Sequence, residues 1–190
     1  MADTNVLIVY DSRLGSVRKM ARLIARGVAK VEGAQAIVRC VTADDDSDGD
    51  AEVTLDELKS CDGLIIGSPT RFGNMSHRLK AFLDSTTSLW MSGALVDKPA
   101  AVFTSSSSMH GGQESTLLSM QIPLLHHGMI IVGIPYSEEA LKKTKTGGTP
   151  YGASHVAGTQ NTEPISDEEK KLCLALGARV ASVATKMQVS

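Results

Sequence analysis

The sequence predicts a single α/β domain: an open, mostly parallel sheet with helices on both faces. Two observations carry this reading. Five short apolar runs, at 6–10, 36–41, 63–67, 100–104 and 129–132, alternate with segments of helical periodicity. These runs are nearly continuous in Val, Ile, Leu and Ala, as expected of strands buried on both faces. A length of 190 residues suits one domain with a full core and no need of disulfides or metal. Right-handed crossovers then make the strand order 2-1-3-4-5 the leading arrangement of a doubly wound five-stranded sheet. The chain shows no internal repeat and no linker.

Strand one is Val6-Leu7-Ile8-Val9-Tyr10. The helix after it carries Val17, Met20, Ala21, Ile24, Val28 and Val31 on one face, and Gly33 marks its stop. Strand two, 36–41, leads into an acidic stretch of Asp44, Asp45, Asp46, Asp48, Asp50 and Glu52, read as a solvated loop. A short helix at 55–58 precedes strand three. Leu79, Phe82 and Leu83 then place a helix with one buried side. Strand four, 100–104, enters a loop rich in Ser and then Gly, 105–112. A helix over 115–127 contains Pro123, which should kink it. Strand five follows, and 142–164, rich in Gly, Thr and Pro, reads as an ordered loop. Ser166-Asp167-Glu168-Glu169 has capping-box spacing and opens a final helix burying Leu172, Leu176, Val180 and Val183.

Composition removes several function classes. A net charge of −2 and a pI near 6.2 give no footing for nucleic acid. Cys40, Cys61 and Cys173 are odd in number and widely spaced, which fits buried small hydrophobes better than a disulfide framework or a zinc site. No signal peptide opens the sequence and no apolar stretch is long enough for a bilayer, so the expectation is a soluble cytoplasmic protein without membrane insertion.

In a sheet of this order ligands sit beyond the carboxyl ends of the strands, at the switch between strands one and three. Three unusual loops leave strands at that edge. In the first, Asp11-Ser12-Arg13-Leu14-Gly15-Ser16, two hydroxyls, a glycine and the amides of a helix start make a phosphate site. The same residues also fit an ordinary turn and N-cap, and spacing alone does not separate the two. The loop is neither a dinucleotide fingerprint nor a Walker loop. A helix end contributes at most ~2 kcal/mol to an anion, whereas micromolar binding needs about 8 kcal/mol. A phosphate ligand must therefore gain most of its affinity from direct hydrogen bonds and a stacked ring.

The second loop supplies ring contacts. Ser68-Pro69-Thr70-Arg71-Phe72-Gly73-Asn74-Met75 offers amides for the edge of an isoalloxazine, a flat face at Phe72 and a positive charge at Arg71. Gly73-Asn74 beside Phe72 argues against a core role for that ring. A receiver domain would need an Asp at the end of strand three, where this chain has Gly67-Ser68-Pro69. The third loop, Ser105-Ser106-Ser107-Ser108-Met109-His110-Gly111-Gly112, offers hydroxyls and flexible backbone, a weak signal by itself. Trp90 is the only tryptophan, and spacing assigns it no special role. His126-His127 lies near a helix end with no second ligand cluster to make a metal site.

Gly67 through Met75, Leu89-Trp90 with Ser92-Gly93, Gly111-Gly112-Gln113-Glu114, Leu125-His126-His127-Gly128-Met129 and Gly147 through Ala153 together resemble the WrbA family. These are flavodoxin-like NAD(P)H:quinone oxidoreductases that carry FMN, and the likeness spans nearly the whole chain. It implies FMN phosphate in the loop of Ser12, Arg13, Leu14, Gly15, Ser16 and Val17. It implies further cofactor contacts from Pro69, Thr70, Arg71, Phe72, Gly73 and Asn74, from Ser105, Ser106, Ser107, Ser108 and Gly111, and from His126. Trp90 would line the nicotinamide and quinone pocket. Leu14 stands where some members carry an aromatic that meets the nucleotide, and the 105–111 loop is longer than in other members. The family forms homotetramers, in equilibrium with dimers, whose neighbouring subunits complete each pocket.

The implied activity is two-electron reduction of quinones by NADH or NADPH, by ping-pong hydride transfer through FMN, with a place in defence against oxidative stress. His126 is the one candidate proton or hydrogen-bond donor. Two rivals stand beside it. A one-electron flavodoxin-type carrier would favour a strongly acidic surface, which a charge of −2 does not supply. A regulatory or scaffold protein associated with a repressor, as the family's older name has it, would call for a basic patch or recognition helix that the sequence lacks.

Overall fold

A computed structural model describes residues 4–43 and 49–188; Asp44, Asp45, Asp46 and Asp48 of the acidic loop lie outside them. Strands β1 (Thr4–Tyr10), β2 (Ala34–Cys40), β3 (Gly63–Pro69), β4 (Pro99–Ser106) and β5 (Ile130–Ile131) form a parallel sheet in the order β2-β1-β3-β4-β5. This is the expected doubly wound order. Side chains alternate across it. Val6, Ile8, Tyr10, Ile65 and Phe103 face one core layer, and Leu7, Val9, Leu64, Ile66 and Val102 face the other. β3 and β4 are buried along their whole length, while edge strand β2 is mostly half-buried.

Helices α1 (Ser16–Val28) and α7 (Asp167–Gln188) cover the first face. They cross closely. A Cβ at Gly27 would overlap the Leu174 carbonyl, and one at Gly177 would overlap that of Ile24. Helices α2 (Leu55–Ser60), α3 (His77–Ser85), α4 (Thr87–Met91) and α5 (Gln113–His126) pack residues into the second layer. α2 opens with a capping box of Thr54 and Glu57, and Ser76 caps α3. The expected box at α7 forms too: Glu169 N–H donates to Ser166 Oγ (3.2 Å) and Ser166 N–H to Glu169 Oε2 (2.7 Å). α5 begins two residues earlier than expected and continues past Pro123 to His126.

The fifth lane of the sheet departs from expectation. β5 is only two residues long and pairs with Pro99 and Ala100. The rest of the lane is a sixth strand, β6 (Ala153–Val156), which pairs in parallel with Phe103–Ser106. The segment between carries the short helix α6 (Glu139–Lys143). The stretch read as loop over 142–164 therefore contains a strand. Ala153-Ser154-His155-Val156 shows no apolar run, because its burial comes from the cover of α7 and its pairing from an open side of β4.

Candidate functional site

The register places the ends of β1, β3 and β4 side by side. Tyr10 is paired with Gly67, Gly67 with Phe103, and Pro69 with Ser105. The three unusual loops thus leave one edge together, and a cavity of about 140 Å³ opens between them. Its walls include Ser12, Arg13, Leu14, Ser16 and Val17 from the first loop and helix start. Pro69, Thr70 and Arg71 come from the second loop, and Ser105, Ser106 and Ser107 from the third. Ser105 and Ser106 belong to β4, which runs two residues beyond the strand read from the sequence.

The first loop is shaped for an anion. Gly15 precedes α1 at φ 82°, a conformation open to glycine, and the Ser12 hydroxyl accepts from the amides of Gly15 (3.1 Å) and Arg18 (3.4 Å). The first-turn amides of Ser16 and Val17 have no acceptor within their own helix. Both residues border the cavity together with the exposed Arg13. Asp11, buried beneath, lies 3.9 Å from Arg78.

In the second loop Arg71 N–H donates to the Asn74 carbonyl (2.8 Å) and Asn74 N–H to that of Arg71 (2.9 Å). The two residues between have positive φ, 51° for Phe72 and 73° for Gly73, the signature of a primed two-residue turn. Phe72 stands fully exposed at its tip. A hydroxyl cluster backs Thr70. Thr104 donates to the Ser68 carbonyl (2.7 Å) and Thr116 to that of Gly112 (2.7 Å), while Thr70 Oγ1 lies 3.2 Å from both hydroxyls. In the third loop the Ser106 hydroxyl accepts from Gln113 (3.0 Å) and donates to the Ser108 carbonyl (2.8 Å).

Other sequence-derived candidates lie outside this cavity. Phe72 and Asn74 line a neighbouring apolar groove of about 640 Å³, which shares Arg71 with the first cavity. Gly73 packs against Ser115, and Ser108 and Gly111 close the third loop through a Gly111 N–H to Ser108 carbonyl bond (3.2 Å). Trp90 and His126 share a further cavity of about 400 Å³, which has Lys80, Ile122 and Pro123 in common with the groove. On one chain they do not reach the Ser12 cavity. His127, beside them, is buried, with Nε2 2.8 Å from Thr86 Oγ1. Burial, and then the proximity of His126, hold its pKa below the ordinary value.

One wall was absent from the sequence reading. Ala157, Gly158, Thr159 and Asn161 complete the first cavity. Their segment is anchored by Glu169, buried at 1% exposure. Its Oε1 accepts from the amides of Gly147 (2.8 Å) and Val156 (3.1 Å), and its Oε2 from Ser166 N–H and His155 Nδ1 (2.9 Å). Burial alone would push this carboxyl up. The bonds from His155, Ser166 and Val156 overcome it and hold the pKa down at about 2. All three cysteines are buried and none is in a disulfide, and burial raises the Cys61 thiol to about 11. No helix among the described residues is long and apolar enough to cross a membrane.

Comparison with known proteins agrees with this geometry. The sequence pattern of the family described as NADPH-dependent FMN reductase matches residues 4–139. The chain is 45% identical to an NAD(P)H dehydrogenase (quinone) of Syntrophobacter fumaroxidans, over 96% of this chain and 98% of that one. It is 44% identical to a protein of the same name from Geobacter sulfurreducens, over 96% and 98%. A WrbA-like flavodoxin structure from Agrobacterium tumefaciens superposes with a TM-score of 0.70 at 25% identity, covering 97% and 99%. The chain therefore belongs to the NADPH-dependent FMN reductase family, and the WrbA-type resemblance read from its motifs is borne out.

Proposed function

We propose that this chain is an FMN-dependent NAD(P)H:quinone oxidoreductase that reduces quinones to hydroquinones by two electrons. The observation that carries this reading is the meeting of three loops at one sheet edge, with an anion-suited helix start at one end and Arg71 and the exposed Phe72 at the other. The residues fit the cofactor. The Ser12 hydroxyl and the first-turn amides of α1 at Ser16 and Val17, with the close backbone approach Gly15 allows, suit its phosphate, and Thr70, Arg71 and Phe72 suit a flat polar ring. When bound, FMN would supply the redox chemistry, two-electron transfer between a nicotinamide and a quinone.

The side chains bind, orient and stabilise charge. The Arg71 guanidinium favours negative charge developing beside it. Phe72 gives a flat wall to whichever aromatic partner occupies the slot, so one slot serves nucleotide and quinone in turn and the kinetics are ping-pong. His126 donates a hydrogen bond or proton to the quinone oxygen, and Trp90 walls the same slot, both from a neighbouring subunit. The exposed apolar stripe of Leu118, Ile122 and Leu125 on α5, with exposed Trp90 lining one cavity with Ile122, supports an assembly of this kind, a homotetramer in exchange with dimers. A cytoplasmic setting and a role against oxidative stress fit this activity.

The test is a steady-state assay of the FMN-loaded protein with NADH, NADPH and benzoquinone. Nicotinamide oxidation that depends on the quinone and exceeds that of free FMN supports the proposal. An absence of such turnover, with a large one-electron-reduced population on photoreduction, would instead favour a flavodoxin-type carrier.

A further inference from the structure

Asn161 lies far from the first loop in sequence, yet its side chain is bonded to that loop at two points. Its Nδ2 donates to the Leu14 carbonyl (2.8 Å), and its Oδ1 accepts from the Ser16 hydroxyl (2.7 Å). Proton counting fixes this orientation. A carbonyl oxygen only accepts, so the amide nitrogen must face Leu14, the amide oxygen must face Ser16, and Ser16 must spend its single hydrogen on Asn161.

The backbone around Asn161 is built to hold this pose. Asn161 sits at φ 57°, a conformation asparagine tolerates, and its N–H closes a turn onto the Gly158 carbonyl (3.1 Å). The turn is tied down at its start by Ala157 N–H to the Ser106 carbonyl (2.8 Å) and at its end by Glu163 N–H to that of Ala157 (3.0 Å). The Glu169 carboxylate fixes the strand that leads into it.

We propose that Asn161 is a positioning residue for the phosphate of the cofactor. It clamps the backbone between Ser12 and Ser16 so that the first-turn amides of α1 converge on the cavity before the ligand arrives. With Ser16 committed to Asn161, those amides rather than the Ser16 hydroxyl are the main donors to the anion. A preorganised site gains affinity by avoiding the cost of ordering it on binding. The inference rests on the FMN reading above and goes beyond it by assigning a part in phosphate recognition to a residue remote in sequence from the first loop.

The informative variant is Asn161→Gly, because glycine accepts φ 57° without strain and only the side chain is lost. Dissociation constants for FMN and for riboflavin, which lacks the phosphate, are measured by flavin fluorescence on the full apo-chain. Losing two hydrogen bonds that order the loop should weaken FMN about tenfold. Riboflavin should change by no more than about twofold, because its ring contacts are intact. Ser16→Ala should weaken FMN in the same sense, and adding it to Asn161→Gly should cost little more, since both remove one shared bond. Amide hydrogen exchange in residues 12–18 of the apo-protein should accelerate in Asn161→Gly, a readout that needs no flavin. Equal FMN affinity in wild type and Asn161→Gly would overturn the proposal while leaving the cofactor reading intact. Equal loss of FMN and riboflavin would overturn it in favour of a general structural role. A wild-type chain that binds neither flavin would overturn both.

Discussion

Arg71 and Asn74 exchange both of their backbone hydrogen bonds, and the two residues they enclose, Phe72 and Gly73, are held in the left-handed region as a result. An aromatic residue there is strained by about 1–2 kcal/mol, and here its ring is wholly exposed. Such strain is sustained only where surrounding bonds over-determine it, as the paired Arg71 and Asn74 bonds do here.

That relationship yields a first prediction. Phe72→Ala and Phe72→Gly should both lower kcat/KM by about 5- to 30-fold through loss of the aromatic wall. The glycine variant should be the more stable of the two by about 1 kcal/mol, since it relieves the backbone that alanine leaves strained. Paired thermal melts should then differ by roughly 2–4 °C. Equal melting of the two would contradict the strained turn.

Glu169 predicts an acid limb. Its folded pKa of about 2 lies below the ordinary 4.5, so its contribution is complete above pH 4.5 and is lost as pH falls from 4.5 through 2. The difference is on the order of 3 kcal/mol. Glu169→Gln should be less stable by a similar amount at pH 7 and should lose that part of the acid limb, as denaturant titrations across pH 3–7 would reveal.

His127 predicts a second pH dependence. Thr86 gives its hydroxyl hydrogen to the Leu83 carbonyl (2.6 Å), so it accepts from His127 Nε2–H, and the buried Nδ1 has no partner among the described residues. Protonation there is unfavourable, in keeping with the lowered pKa. The unfolded chain takes up this proton below about pH 6.5 and the folded chain resists it, so stability should fall as pH drops through that value. His127→Gln, which keeps a donor for Thr86, should flatten the slope. A wild-type melting temperature that rises between pH 7 and pH 5.5, or one whose slope survives in the variant, would contradict this assignment.

Gly67 sits where β3 meets the site, and a Cβ there would overlap the Phe103 ring. Gly67→Ala should cost about 1–3 kcal/mol by overpacking. Phe103→Leu in the same chain should restore part of it, giving a non-additive cycle. Additive losses would show that the two side chains do not compete for one space.

Strands β1, β3 and β4 were legible in the sequence because burial on both faces makes them continuous apolar runs. β6 was not, since Ala153, Ser154 and His155 are buried by tertiary cover rather than by any apolar pattern. The three loops could be read because each couples a strand end to turn formers, hydroxyls or a helix start. Asn161 could not, because its place is set by contact with Leu14 and Ser16, 147 and 145 residues away; its only local signal is a Gly158-to-Asn161 spacing suited to a left-handed turn. Trp90 and His126 matched the family motif, yet on one chain they face a separate cavity, and spacing says nothing about which subunit a side chain serves.

The most direct test of the account is a steady-state matrix of nicotinamide and benzoquinone concentrations on the FMN-loaded protein. Parallel double-reciprocal lines, with turnover well above that of free FMN, are the expected result for one slot used by two substrates in turn. Intersecting lines would mean that both partners bind together, and no quinone-dependent turnover would mean that the site serves another reaction.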